Sequence, residues 1–199
     1  MSDQNLNEER RDVGGFTSLI FRGMGRVDLV QGDHEELVIE ALPEIRSRIR
    51  TSVNNDTLLI DYDENWRDWT GIRSLSGDKI RFSLMMREVN SIIISGAGSL
   101  DGARVESSKL ELAISGPGWL TLGTVKTDRL DASLSGVGSL DIAGITDELN
   151  INLTGAGSFR GARLESTKAN RRVSGVGTAV VRAKEWRTTN ITRAGRIEY

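Results

Sequence analysis

Apolar and polar residues alternate along most of this chain, and from about residue 80 the alternation itself recurs. Ahead of a recurring Ser or Thr, apolar residues stand at positions −5, −3 and −1. They are Leu110, Leu112 and Ile114, then Leu130, Ala132 and Leu134, then Leu149, Ile151 and Leu153. Period two over three steps is the pattern of a strand with one face turned inward. Behind the Ser or Thr a second inward pair falls at +5 and +7: Leu100 and Gly102, Leu120 and Leu122, Leu140 and Ile142, Phe159 and Gly161, Ala179 and Val181. A third inward file falls at +10, with Val105, Val125, Ile145 and Leu164. Three short inward runs in about 20 residues describe one coil of a parallel β-helix, with successive coils about 4.8 Å apart. Helical repeats such as tetratricopeptide units need about 34 residues per unit.

A hexapeptide marks one corner of each coil. It reads Ser95-Gly96-Ala97-Gly98-Ser99-Leu100, and variants start at Ser115, Ser135, Thr154, Ser174 and Thr192, with steps of 20, 20, 19, 20 and 18 residues. The glycine pairs are Gly96 and Gly98, Gly116 and Gly118, Gly136 and Gly138, Gly155 and Gly157, and Gly175 and Gly177, with Gly195 alone in the last copy. A sharp corner requires either φ > 0 or room where a Cβ would strike the next coil, and glycine supplies both. The second glycine is present in every copy, whereas Arg193 replaces the first in the last copy, so the second position is expected to carry the stricter demand. The Ser and Thr residues opening each copy are expected to stack as a hydroxyl ladder that satisfies backbone groups at the corner.

The first part of the chain is less regular. Residues 1–12 are polar and aperiodic, and read as a disordered arm or the remnant of a tag. Residues 13–199 read as one domain, with a divergent part over 13–79 and regular coils over 80–199. In a first, divergent coil Val27, Leu29, Leu37, Ile39 and Ala41 take the inward offsets counted from Arg22. Ile49–Val53 and Thr57–Tyr62 read as two strands joined by the polar turn Asn54-Asn55-Asp56. Asp63 to Lys79, with Trp66 and Trp69, reads as a long loop.

Composition narrows the picture further. The 199 residues include 22 glycines, two prolines and 5% aromatic residues, which suits strands and turns. No apolar run approaches the roughly 18 residues of a membrane span. Without cysteine the chain has neither disulfides nor thiolate metal sites. The first eleven residues lack the apolar core of a secretory signal. Net charge is −2, yet residues 160–199 hold ten Lys or Arg against three acidic residues, while residues 1–159 hold 16 against 25. Such asymmetry points to an electrostatic contact surface.

The recurrent Ser-Gly-x-Gly-x-Leu units, the opening Gly15-Phe16 followed by Gly23-x-Gly25-x-Val27-x-Leu29, and the terminal Gly195-Arg196-Ile197-Glu198-Tyr199 resemble the "putative auto-transporter adhesin head GIN domain" family. The resemblance runs from about Val13 to Tyr199. It implies a right-handed parallel β-helix from bacterial envelope or secreted proteins, with no established molecular function. It implies a location in the cell envelope or outside the cell, while the lack of an apolar signal segment in the first eleven residues leaves a cytoplasmic location as the alternative expectation.

Candidate chemistry is sparse. The Gly-x-Gly units lack the third glycine and following helix of a dinucleotide loop, and no Gly-Lys-Ser or Gly-Lys-Thr follows them, so they read as turns. His34 is the single histidine, in a charged turn with Asp33, Glu35 and Glu36, and reads as solvated rather than metal-binding. Asp61, Asp63 and Glu64 beside Trp66 and Trp69 could serve hydrolysis of a polysaccharide, with loop aromatics packed on the sheet as the plainer explanation. Arg171, Arg172, Arg182 and Arg187 are expected to form a basic patch near the C-terminal end. Arg171 stands at an inward offset, which implies that the helix opens there or that something covers it.

The resulting expectation is a non-enzymatic envelope or surface binding scaffold without cofactor or metal. It would meet an anionic polysaccharide or another envelope component, and neither nucleic acid nor a membrane span is expected. The alternatives are a polysaccharide-acting enzyme at the Asp61, Asp63 and Glu64 region, and a homo-oligomer built by end-on stacking, since open coil ends leave strand edges unpaired.

Overall fold

The structure, a computed structural model, describes residues 7–63, 79–191 and 196–198, with side chains over 8–63 and 79–185. Its strands are β1 (Asn7–Arg11), β2 (Ser18–Arg22), β3 (Met24–Gln31), β4 (Glu36–Ala41), β5 (Ile49–Asn54), β6 (Thr57–Tyr62), β7 (Arg81–Met86), β8 (Ser91–Ile94), β9 (Ala97–Ile114), β10 (Trp119–Leu134), β11 (Ser139–Leu153), β12 (Ser158–Val173), β13 (Thr178–Ile191) and β14 (Arg196–Glu198). One short helix, α1 (Pro43–Arg46), separates β4 from β5 and buries Ile45.

Strands β9 to β13 are successive coils of a parallel β-helix, each paired in parallel with the next, and β14 continues the stack on β13. Each long strand wraps three faces. In β10 the alternation of buried and exposed residues resets at Gly123-Thr124 and again at Asp128-Arg129, where two consecutive residues face solvent. These resets are corners, and the Ser-Gly-x-Gly segment between strands is the third corner. Inward files run along the axis in register: Leu100, Leu120, Leu140 and Phe159 on the first face, and Leu110, Leu130 and Leu149 on the third. All seven are fully buried, and a buried Leu or Phe stabilises the fold by about 1.5–3 kcal/mol.

One expected inward residue is displaced. Ile145 is 51% exposed, because the coil from Ser135 is one residue shorter than its neighbours. The register shifts there, so Val125 pairs with Gly144 and Gly144 in turn with Leu164. Gly144 has φ +132° and lies against the Val125 backbone, a position where a side chain would clash.

The N-terminal part stacks out of sequence order. Strands β2 and β3 form a coil, with β3 on the first face of β9 and β2 on β8, which itself pairs with the last face of β9. Outside that coil lie β6 on β2 and β7 on β3, both parallel, so the next coil is assembled from segments on either side of residues 63–80. The stretch where the sequence periodicity lapses therefore supplies two faces of a coil. At its heart Phe21 and Phe82 meet edge to face with centroids 5.2 Å apart.

Antiparallel strands close this end. Leu37, Ile39 and Ala41 are buried as expected, but they belong to β4, antiparallel to β7, and not to a third face of the first coil. An alternation of period two specifies the inward face of a strand and leaves its direction and partner open. The expected β5–β6 hairpin is present, turned by Asn55 (φ 48°) and Asp56 (φ 59°), two left-handed residues that match the strand twist. Residues 7–11 depart from the expected disordered arm and form β1 on β4. Backbone pairing at an edge needs no apolar side chain, and ion pairs Arg10–Glu36 (3.1 Å) and Arg46–Glu9 (2.7 Å) tie β1 to its surroundings.

The corner glycines serve close approach and not positive φ, which among described residues occurs only at Gly15, Gly25, Gly144, Asn55 and Asp56. A Cβ at Gly116 would lie 2.6 Å from the Gly96 carbonyl oxygen, and one at Gly118 would lie 2.8 Å from that of Gly98. The same overlap recurs along both glycine files, so the first position is as constrained as the second. Backbone amides hold the corner: Ser115 donates to Ile94 O, Ser135 to Ile114 O and Thr154 to Leu134 O. The hydroxyls of Ser95, Ser115, Ser135 and Thr154 face solvent. The hydrogen-bonded hydroxyl ladder lies instead at the corner that β10 makes at Asp128-Arg129. There Ser107, Thr127 and Thr146 donate to the carbonyls of Lys109, Arg129 and Glu148 at 2.7–3.0 Å, and Ser166 donates to Arg182 O at 2.8 Å.

Candidate functional site

On the third face, outward residues of successive coils fall into rows. Glu111, Asp131, Asn150 and Asn170 share one register position, and Ala113, Ser133, Asn152 and Arg172 share the position two residues on. Alternate residues of a strand point to the same side, so both rows face solvent while Leu112, Ala132, Ile151 and Arg171 between them point inward. A shallow groove of about 420 Å³ runs between the rows across the coils. Its lining includes Asp131, Ser133, Asn150, Asn152, Asn170 and Arg172.

The first row is internally organised. Asn150 Nδ2 donates to Asp131 Oδ1 at 2.7 Å, and Asn170 Nδ2 donates to Asn150 Oδ1 at 2.9 Å. Arg129 Nε donates to both Asp131 oxygens at 3.0–3.1 Å, and its Nη1 reaches Glu148 at 3.2 Å. Partial burial pushes the Asp131 carboxyl up, but the hydrogen bonds from Arg129 and Asn150 outweigh it and hold the group below the usual carboxylate range. Asp131 is therefore a fixed acceptor at neutral pH. An amide side chain has two N–H donors and an oxygen with two lone pairs, so each asparagine in the row keeps hydrogen-bonding capacity toward the groove.

Of the four arginines singled out in the sequence, the three with described side chains do not gather. Arg171 is 2% exposed and lies inward in file with Ala132 and Ile151, on the opposite side of the sheet from Arg172. Arg172 lines the groove. Arg182 is paired in register with Glu165 near the hydroxyl-ladder corner. The side chain of Arg187 lies outside those described, as do Gly195, Glu64, Trp66 and Trp69. The basic patch thus reduces, among these described side chains, to Arg172 on the solvent side of the groove, with the buried Arg171 contributing to the lining between the rows.

The carboxylates considered for hydrolysis are engaged separately. Asp61 Oδ1 accepts the Tyr62 amide at 2.7 Å, while Asp63 Oδ2 is 3.2 Å from Arg48 Nη1. Asp63 lines a surface cavity with Glu44, Ser47 and Arg48, and Asp61 is not part of that lining. His34 Nδ1 lies 2.6 Å from Asp33, and that contact, with help from Glu36, raises the imidazole above its ordinary value. It stands in an exposed turn, as the sequence implied.

The groove residues escaped the sequence reading because it followed inward positions only. Their signal is present at the outward offset −4, where Asp131, Asn150 and Asn170 recur in three consecutive coils. Only the register shows that this offset becomes a continuous row.

Among solved structures, a protein of Bacteroides fragilis described as a "putative adhesin" superposes with a TM-score of 0.80 at 17% identity, over 98% of this chain and 94% of its own. A "putative adhesin" of Parabacteroides distasonis gives 0.69 at 14% identity over 99% and 98%, and a "putative lipid binding protein" of the same species gives 0.66 at 15% over 99% and 98%. At these identities the likeness is one of fold. No curated protein matches the sequence. The family model described as "Putative auto-transporter adhesin, head GIN domain" matches residues 15–199, and the chain belongs to that family.

Proposed function

We propose that this protein is a non-enzymatic binding scaffold of the bacterial surface that holds a polysaccharide chain along the groove of its third face. The family description and the adhesins of the same fold support a surface binding role. The observation that carries the ligand class is the row Asp131–Asn150–Asn170, hydrogen-bonded in register and facing Ser133, Asn152 and Arg172 across the groove. Carboxylate, amide and guanidinium groups at coil spacing present donors and acceptors to the repeated hydroxyls of a sugar chain. Arg172 is the one solvent-facing arginine of the lining and it shares the groove with Glu111 and Asp131, which favours an uncharged or sparsely charged polysaccharide over a strongly anionic one.

A glycan array with the whole chain tests this reading, using wild type beside Asn150→Ala, Asn152→Ala and Arg172→Glu. Asn152 and Arg172 are exposed, so thermal unfolding of those two variants is expected to match wild type closely, while Asn150→Ala also gives up its bonds to Asp131 and Asn170 and is expected to lose about 1 kcal/mol of stability. Binding is expected to weaken about tenfold in the asparagine variants, the loss of one or two hydrogen bonds to ligand. Array profiles unchanged by all three substitutions would overturn the groove as the site.

A further inference from the structure

The outer surface of the first face carries an arrangement that the groove does not use. Trp119 opens β10 with 55% of its surface exposed, the one large exposed aromatic among the described side chains. Its register partners on the adjoining coils are Ser99 and Ser139, so short side chains flank the indole on both sides. Two residues on, Thr121 sits in register between Asp101 and Asp141 and points the same way as Trp119. Each carboxylate is braced by an arginine: Arg26 Nη2 lies 3.4 Å from Asp101, and Arg163 Nη2 lies 3.5 Å from Asp141. Arg26 is itself held by Asp28 at 2.9 Å.

This indole adds little to the core, yet it leaves a large apolar ring in water. An aromatic platform edged by carboxylates and a hydroxyl suits a ligand with one apolar face and a polar rim, which describes a pyranose ring. A lipid surface fits poorly, because the same strip would bring Asp101 and Asp141 against acyl chains or anionic headgroups. We propose that Trp119 is a sugar-stacking platform, with Asp101, Thr121 and Asp141 as hydrogen-bonding partners of the ring hydroxyls. It would be a second attachment point for a neutral polysaccharide. The inference rests on the reading of the groove as a polysaccharide site and extends it around the Ser-Gly-x-Gly corner. Exposed Pro117 and Val137 on that corner lie between the two surfaces.

The test is calorimetric titration of the whole chain with cellohexaose, xylohexaose and mannohexaose. It compares wild type, Trp119→Ala, Trp119→Phe and the groove variant Asn150→Ala/Asn152→Ala. The sugar that binds wild type is expected to bind Trp119→Ala about five- to tenfold more weakly, as for loss of an aromatic contact, with Trp119→Phe within about threefold of wild type. Trp119→Ala binding as wild type while the groove variant fails would overturn the platform and leave the polysaccharide reading standing. The opposite result, loss in Trp119→Ala alone, would support the platform and remove the groove. Absence of wild-type binding to all three sugars would overturn both.

Discussion

A methyl group at Gly136 would press into the Gly116 carbonyl, and the obstacle is backbone rather than a side chain able to turn aside. Gly136→Ala is therefore expected to lower stability by about 1–3 kcal/mol through strain transmitted to the coil beneath. Gly14→Ala is the control, since its Cβ would meet only the end of the Glu35 side chain at 3.5 Å, and a change within about 0.5 kcal/mol is expected. Urea unfolding of both variants checks the pair, and equal midpoints would refute the stacking account. The residues themselves were legible in the sequence. Their reason was not, because a glycine tolerating φ > 0 and a glycine admitting a neighbouring carbonyl look identical until the coils are stacked.

At the scale of the element, a hydroxyl ladder was expected where the glycines are and is found where the strand bends without them. Thr146 is 5% exposed, and its Oγ1 donates to Glu148 O at 3.0 Å across the bend. Thr146→Val keeps the shape and removes the donor, so a loss of about 1 kcal/mol is expected, read from the shift of the thermal or urea transition. A comparable role falls to Gln31, where β3 ends while β9 continues. Its side-chain amide accepts the Glu106 amide at 2.7 Å and donates to Glu106 O at 3.0 Å, standing in for the strand that is no longer there. Neither device repeats with the hexapeptide, and both depend on which strand edge lies alongside. The β5–β6 hairpin, by contrast, was readable because its turn chemistry is local.

For the whole molecule, one end is closed by antiparallel pairings, β4 on β7, β1 on β4 and β5 on β6, and β1 is tied there by ion pairs. Removal of residues 1–11 is expected to strip β1 from β4 and bare that edge, where Leu37 and Ile39 alternate toward the core. An unpaired edge of this kind invites pairing with another chain. Size-exclusion chromatography and light scattering should then report concentration-dependent association of the truncated chain beyond that of the full chain. Unchanged behaviour would show that β1 does not protect the edge. The same end shows the limit of periodicity, since β2 and β3 precede β6 and β7 in sequence yet lie between them and the regular coils.

Along this chain the residues alone determined the β-helix, its coil length, its inward files and the corner at Ser95–Gly98. Each of these follows from a period of two within a period of about 20, and burial of apolar side chains acts directly on that pattern. Tertiary structure decided the threading of β2–β3, the direction of β4, the outward turn of Ile145 and the inward place of Arg171. It also decided the candidate site, because Asp131, Asn150 and Asn170 are separated by 19 and 20 residues and become neighbours only through coil register. Outward residues are under no burial pressure, so their recurrence at offset −4 has no meaning until register turns it into a row. Their chemistry emerges from proximity alone.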